Sequence, residues 1–367
     1  MVSLAYNSVR MQPKAFTVQD LYARYSAKED LASLGEILIE GWVRTNRDNG
    51  SVGFIALNDG SCFKNIQLVY NADIPNHDVL AHILTGATLG VRGQIVLTPE
   101  MKQPFEMHVS SFEVLGDAPS DYPLQKKRHT FEYLREEAYL RPRTNTFAAV
   151  FRLRSVLAIG IHEFFQNKGF VYVHTPEVTV NDAEGAGQVF TLVTNDDEGK
   201  LSDTDFYGRR ASLTVSGQLH VEAFAMAFRD VYTFGPTFRA EKSNTTRHAS
   251  EFWMIEPEIA FADLEDDMNL MEETIKFCIK YAMDKCPDEM EFFNERIAPG
   301  LFDKLNKVLA TPFRRMEYTE GIEILQKAVK DGHKFENPHI EWGMDLQAEH
   351  ERYLTEEVVK GPMFLIN

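Results

Sequence analysis

The stretch FRAEKSNTTRHASEFWMIEPEIAF, residues 238–261, brings arginine, glutamate, histidine and aromatic residues together at strand spacing. Read as two strands, 231–241 and 251–261, it places Thr237, Arg239 and Glu241 on one face of the first, because successive strand side chains alternate. On the second, Phe252, Met254, Glu256 and Glu258 point one way. Trp253, Ile255, Pro257, Ile259 and Phe261 point the other way, a wholly apolar set expected to be dry and packed on helices. An arginine offers a planar fork to phosphate or carboxylate, a carboxylate accepts from an amino group, and an aromatic ring gives a base a flat surface. Lys242, Arg247 and His248 add a cationic tip suited to phosphate. The polar face thus describes a seat for ATP built without a glycine loop. The competing reading is a solvated sheet face laced with cross-strand ion pairs. Phe252, which would waste apolar area on a wet face, and the cationic tip speak against it.

The elements that must position these residues are α+β. Residues 1–34 read as a leader with one short helix around TVQDLYARY. From 35 to 115, EILIEGWVRT, SVGFIALNDG, NIQLVY, ATLGVRGQIVL and FEMHVSSFEVL are short β-rich runs separated by turn residues. Five strands in so short a span suit an OB-fold barrel, with a small β-sandwich as the alternative. Residues 116–134, rich in Pro, Gly and charge at their start, form a hinge, and a second domain fills 135–367. There, Phe147, Val150, Leu153, Leu157, Ile161, Phe164 and Phe165 recur at helical spacing, with Thr144 or Thr146 as N-cap and Gly169 just past the end. Antiparallel hairpins mixed with helices, rather than βαβ repeats, define the class of this domain.

Composition excludes several alternatives. A net charge of −17 argues against non-specific nucleic-acid binding over the whole surface and leaves only local patches such as Lys126-Lys127-Arg128-His129. That run reads equally as a solvated linker. Nothing approaches a membrane span, and the start lacks the apolar core of a signal peptide. Cys62, Cys278 and Cys286 have no metal-ligand spacing and fit reduced thiols in a cytoplasmic protein. No GxxxxGK loop, HExxH, CxxC or EF-hand pattern occurs, so a nucleotide must be held by another route.

The hairpin residues resemble the second signature motif of class II aminoacyl-tRNA synthetases, fRxE followed by a loop, RH and EF. The longer text SGQLHVEAFAMAF…VYTFGPTFRAEKSNTTRHASEFWMIEPEIAF resembles the asparaginyl branch, as do EYLREEAYLRPRTN, DAEGAG and KFENPHIEWGMDLQAEHERYL. The resemblance runs from about residue 35 to the last residue. It implies an asparagine–tRNA ligase that uses ATP and Mg²⁺, forms asparaginyl-adenylate and charges tRNA(Asn), with no membrane partner. It also implies roles: Arg239 bridging the α-phosphate and the asparagine carboxylate; Glu241 and Phe252 holding adenine; Arg247 and His248 on the β- and γ-phosphates; Glu184, Gln218 and Glu222 lining the amino-acid pocket. In the β-domain, Phe54 matches an aromatic that stacks an anticodon base and Gln67 an amide that reads one; core and exposed-strand readings of the two stay open. The 146–176 region resembles the first motif, which forms a homodimer interface in the family, although its apolar stripe would serve equally as core.

One departure is plain. The third motif, a glycine-rich strand and a helix bearing a γ-phosphate arginine, and the segment whose glutamate holds Mg²⁺ would follow the present last residue. The last arginine is Arg352 and the last glycine Gly361. The expectation is therefore a catalytic domain lacking its third motif, with no metal ligand within it and inactive alone. A non-catalytic RNA-binding paralogue and an asparagine synthetase-like enzyme are the alternatives, the latter disfavoured by the β-domain.

Overall fold

The computed structural model describes residues 16–125, 127–181, 188–195, 198–200, 207–242 and 248–367. They fall into two compact units, Met1–Leu153 with Asp288–Phe292, and Arg154–Pro287 with Phe293–Asn367.

In the first unit, Thr17 and Asp20 form a capping box that starts α1 (Val18–Ser26), whose Leu21 is fully buried. Tyr22 packs on the ring of Phe105, centroids 4.8 Å apart. The helix expected in the leader thus shares the core of the β-domain. Strands β1 (Glu36–Asp48), β2 (Val52–Asn58), β3 (Ile66–Asn71), β4 (Thr88–Leu97) and β5 (Phe105–Gly116) close a barrel in the order β1-β2-β3-β5-β4. Closure removes both sheet edges. The β3–β5 pair is parallel, and β1 pairs antiparallel with β4. Inward residues such as Ile39, Ile55, Leu57, Leu68 and Met107 are essentially without exposure. Gly53 is needed here: a Cβ on it would lie 1.9 Å from Cζ of the buried Tyr70 ring. Helix α2 (His77–Ala81) bridges β3 and β4, and α3 (Phe131–Glu136) comes after the barrel with Thr130 as N-cap.

The long helix α4 (Asn145–Asn167) ends where Gly169 takes a φ of +85°. In the second unit, β6 (Val171–Tyr172), β9 (Asp230–Phe238) and β10 (Glu251–Ile259) form a sheet in the order β10-β9-β6. Strands β7 (Val178–Thr179) and β8 (Ser212–Leu213) pair with each other. Helix α5 (Gln218–Phe228) precedes β9, and α6 (Leu264–Lys285) comes after β10 with Asp263 and Asp266 as its capping box. The sheet is backed by Ile161, Phe164 and Phe165 of α4 and Leu270 of α6, which bury Tyr232 and Phe234. Helix α7 (Pro287–Phe292) belongs from Asp288 onward to the first unit, and α8 (Leu301–Ala310) precedes a C-terminal layer of the second. In it β11 (Arg314–Glu317) runs parallel to β12 (Met363–Ile366), beside α9 (Tyr318–Lys330) and α10 (Ala348–Arg352), around Met316, Ile322, Leu325 and Leu354.

The dry face expected for the hairpin is a correction. Ile259 packs into the cluster under the sheet, but Ile255 is 39% exposed, Trp253 49% and Phe261 91%. The cluster made by α4 and α6 takes in only the Ile259 end of β10, and Trp253 keeps one edge-to-face contact, with Phe234 at 5.1 Å.

Candidate active site

Strands β9 and β10 pair in the register Thr237↔Phe252, Gly235↔Met254, Thr233↔Glu256 and Val231↔Glu258. Directly paired residues share a face, so Thr233, Thr237, Phe252, Met254, Glu256 and Glu258 lie together opposite the buried Tyr232 and Phe234. Over this face opens a shallow cleft. Tyr172, His174, Thr175, Gly217, Thr237 and Glu256 are among its lining residues.

Arg239 stands one residue past the end of β9, its amide still bonded to the Ser250 carbonyl at 3.0 Å. Its guanidinium lies over the Phe252 ring, 5.5 Å from the centroid, and its Nη2 reaches the Met254 sulfur at 4.0 Å. It forms no ion pair among the described residues, and its buried Nε has no hydrogen-bond partner. A buried cationic donor without a partner is costly unless an anion completes it. Arginine and aromatic ring therefore come together as the spacing requires.

Glu241 does not lie on the ladder, contrary to the strand drawn to residue 241. The chain turns away from β10 at Ala240, whose amide donates to the carbonyl of Gln188 at 2.7 Å, and Glu241 is exposed just beyond it. His248 is exposed at the far side of the tip. Arg247 and Glu184 lie outside the described residues.

Toward Glu258, beyond the residues that line the cleft, the surroundings are acidic. On α5, Gln218 donates through Nε2 to Glu222 Oε1 at 3.3 Å, one helical turn on. Burial, then the charges of Glu222, Glu256 and Asp267, push the Glu258 carboxyl above its ordinary range. A like-charged cluster of this kind favours ligand groups that bring N–H donors and disfavours a further carboxylate.

Sequence reading saw Glu256 only as one more carboxylate on the face. In the structure it accepts from Ser216 Oγ at 2.5 Å, the Gly217 amide at 3.1 Å and Thr233 Oγ1 at 3.0 Å. The signal available beforehand was the run of small hydroxyl residues in TVSG before α5, a place where helix starts seek acceptors. No group of three ligating side chains occurs among the described residues.

In the barrel, Phe54 lies between the inward Gly53 and Ile55 of β2 and is 37% exposed, so it points outward and is not core. It pairs with Val69 and Arg47, while Gln67 pairs with Ala56 on the same outer face. Gln67 Nε2 donates to Glu106 Oε2 at 3.0 Å.

Similarity to known proteins is specific. Residues 130–367 match the model of tRNA synthetases class II (D, K and N), and residues 37–115 match that of the OB-fold nucleic acid binding domain. Fold and site together define a class II tRNA synthetase with an OB-fold. The asparagine–tRNA ligase of Alkaliphilus oremlandii (strain OhILAs) is 54% identical over 363 residues, 96% of this chain and 76% of that protein. That of Desulfitobacterium hafniense (strain Y51) is 56% identical over 340 residues, 90% of this chain and 73% of that one. The crystal structure of asparaginyl-tRNA synthetase from Pyrococcus horikoshii complexed with asparaginyl-adenylate superposes with a TM-score of 0.80 at 26% identity, covering 96% of this chain and 74% of that one. The chain belongs to the asparagine–tRNA ligase family.

Proposed function

We propose, against the expectation of a chain inactive alone, that it activates L-asparagine with ATP to asparaginyl-adenylate and transfers the asparaginyl group to tRNA(Asn), using the cleft over β9 and β10. The observation that carries this reading is Arg239, a cation with a partnerless buried Nε, held against Phe252, whose strand partner Thr237 lines the cleft. In the first step an asparagine carboxylate oxygen bonds to the α-phosphorus while the bond to the pyrophosphate oxygen breaks. Arg239 would hold both anions and stabilise the charge that grows on the phosphoryl oxygens. Phe252 would stack on the adenine ring, with Glu241 accepting from its amino group and Arg247 and His248 meeting the outer phosphates. Gln218, Glu222 and Glu184 would receive the amino acid.

Selectivity arises from the same charges. Glu222 accepts from the side-chain amide of asparagine, whereas aspartate would bring a carboxylate toward Glu222, Glu256 and Glu258. Magnesium enters as the counter-ion of ATP. The described residues hold no cluster for it, and no step of this reading runs through it.

Phe54 and Gln67, on one outer barrel face, would meet the anticodon by stacking and by base-edge contact. The half-exposed apolar residues Val150, Phe151 and Ile159 of α4 and Tyr172 of β6 support a homodimer through the 146–176 region. No helix among the described residues is long and apolar enough to cross a membrane, and the three cysteines are free, in keeping with a cytoplasmic enzyme. ATP–pyrophosphate exchange tests the reading: asparagine should support exchange and aspartate should not. Exchange with aspartate at a comparable rate, or with neither amino acid, would contradict it.

A further inference from the structure

We propose that Asp288–Phe292, together with Arg152, are positioning residues for anticodon reading. They form a strap, entering the first unit after α6, that clamps the loop joining β2 to β3, the two strands that carry Phe54 and Gln67. The inference rests on the proposed contact of those two side chains with tRNA.

The loop, residues 59–65, is bonded on several sides. Asn58 Nδ2 donates to the carbonyls of Cys62 at 3.4 Å and Lys64 at 3.1 Å. Asp59 Oδ2 accepts the Val18 amide at 2.7 Å and Ser61 Oγ the Gln19 amide at 3.0 Å, so the start of α1 is tied to it. The strap adds a further set of contacts. Lys64 Nζ pairs with Asp288 Oδ1 at 2.8 Å, and the Phe63 ring meets that of Phe292 with centroids 5.3 Å apart. Arg152, in the part of α4 that belongs to the first unit, donates through Nη1 to the Ser61 carbonyl at 3.3 Å and through Nη2 to that of Gly60. Its Nε stands 4.0 Å from Glu289 Oε1. A planar guanidinium can serve two carbonyls and a carboxylate at once, whereas an ammonium is a single point charge. Glu289 and Met290 are buried, so the strap is seated against the first unit and not merely laid over it. The loop it clamps is close to the reading residues. Gln67 is the second residue of β3 and pairs with Ala56, two residues before the end of β2 at Asn58. Strands open from their ends, so a released loop would let fraying reach Gln67 first and Phe54 after it. Closure of the barrel rests instead on its five strands and their inward residues. Loss of the strap contacts should thus blur anticodon reading and leave the barrel closed.

The test is filter binding of two transcripts, tRNA(Asn) and the same tRNA with its anticodon replaced, to the full chain and to its variants well below their thermal midpoints. The readout is the ratio of the two Kd values, from which charge effects common to both transcripts cancel. Phe292→Ala, which removes an aromatic pair, should lower that ratio by about 3- to 10-fold. Asp288→Lys and Lys64→Asp, each breaking a partly exposed ion pair, should lower it by about 2- to 5-fold. The double variant, which restores the pair with its charges exchanged, should return the ratio toward that of the parent. A ratio unchanged in Phe292→Ala and in both single charge variants would overturn the proposal, even if both Kd values moved together, because Lys64 would then act as a phosphate contact or the strap as scaffold. So would a double variant as poor as the two single changes combined. Should Phe292→Ala not fold, the exchange of charges between Lys64 and Asp288 carries the test. A distinct outcome is a parent that binds both transcripts equally, or a Phe54→Ala variant that binds tRNA(Asn) as the parent does: either would remove the proposed anticodon contact itself and the inference with it.

Discussion

In the barrel, Ile55 and Leu57 of β2 are fully buried while Phe54 beside Ile55 is 37% exposed. In β10 the apolar partners of the same alternation, Trp253 and Ile255, are themselves 49% and 39% exposed, and the polar face across the strand holds the cleft. Both regions obey a period of two, but a barrel supplies its own second wall by closing on itself. A three-stranded sheet needs other elements to cover it, and the cluster made by α4 and α6 takes in only its Ile259 end. Alternation therefore says which side chains share a face. It does not say what lies on that face.

The contrast can be broken by truncating matched apolar residues. Leu57→Ala, inside the closed wall, should cost about 2–5 kcal/mol in a denaturant titration followed on the first unit. Phe54→Ala, outside that wall, should leave the barrel's stability nearly unchanged. It should weaken tRNA binding by about 1–3 kcal/mol, the worth of one stacked base, as read by a filter-binding isotherm, and leave pyrophosphate exchange intact. An equal loss in both assays would mean that Phe54 supports the core. Trp253→Ala, at the open end of the hairpin, should cost only about 1 kcal/mol, since half of its ring is already in water. A cost as large as that of Leu57→Ala would mean that the two faces are equally closed.

The smallest effect is one of pH, in the C-terminal layer. Glu349 of α10 accepts the amides of Asn337 at 2.8 Å and Glu336 at 2.7 Å, and the Asn337 bond above all holds its carboxyl below the ordinary range. A depressed carboxyl adds stability that is present above its unfolded pKa, about 4.3, and is lost as pH falls through the lower folded value. Thermal midpoints of the parent should therefore fall more steeply below about pH 4 than those of Glu349→Gln. Parallel curves would show that the two amides do not depend on the charge.

Much of the fold was legible because its signals are local. The five barrel runs and the hairpin were marked by alternation and turn residues, and α4 by its helical stripe and by Gly169. Within the site, the closeness of Arg239 and Phe252 came from strand period alone. What escaped reading depends on distant partners. Strand β9 ends before Glu241 because Ala240 bonds to Gln188, far away in sequence, and no pattern within the hairpin announces that. The work of Glu256 depends on Ser216 and Gly217, forty and thirty-nine residues earlier. A carboxylate on a strand looks the same in sequence whether it faces water or three donors.

The central claim is that the guanidinium of Arg239, which forms no ion pair among the described residues, is the anion clamp of an ATP site. It is tested most directly by calorimetric titration of ATP into the chain and into its Arg239→Ala variant, with thermal midpoints of both recorded. The account expects the variant to bind ATP at least about 10-fold more weakly, since a charge-assisted contact to phosphate is worth roughly 1.5–3 kcal/mol, with its midpoint unchanged or raised by removal of a buried donor that has no partner. ATP affinity equal in the two proteins, or a variant whose midpoint falls by many degrees, would contradict it and make Arg239 part of the scaffold.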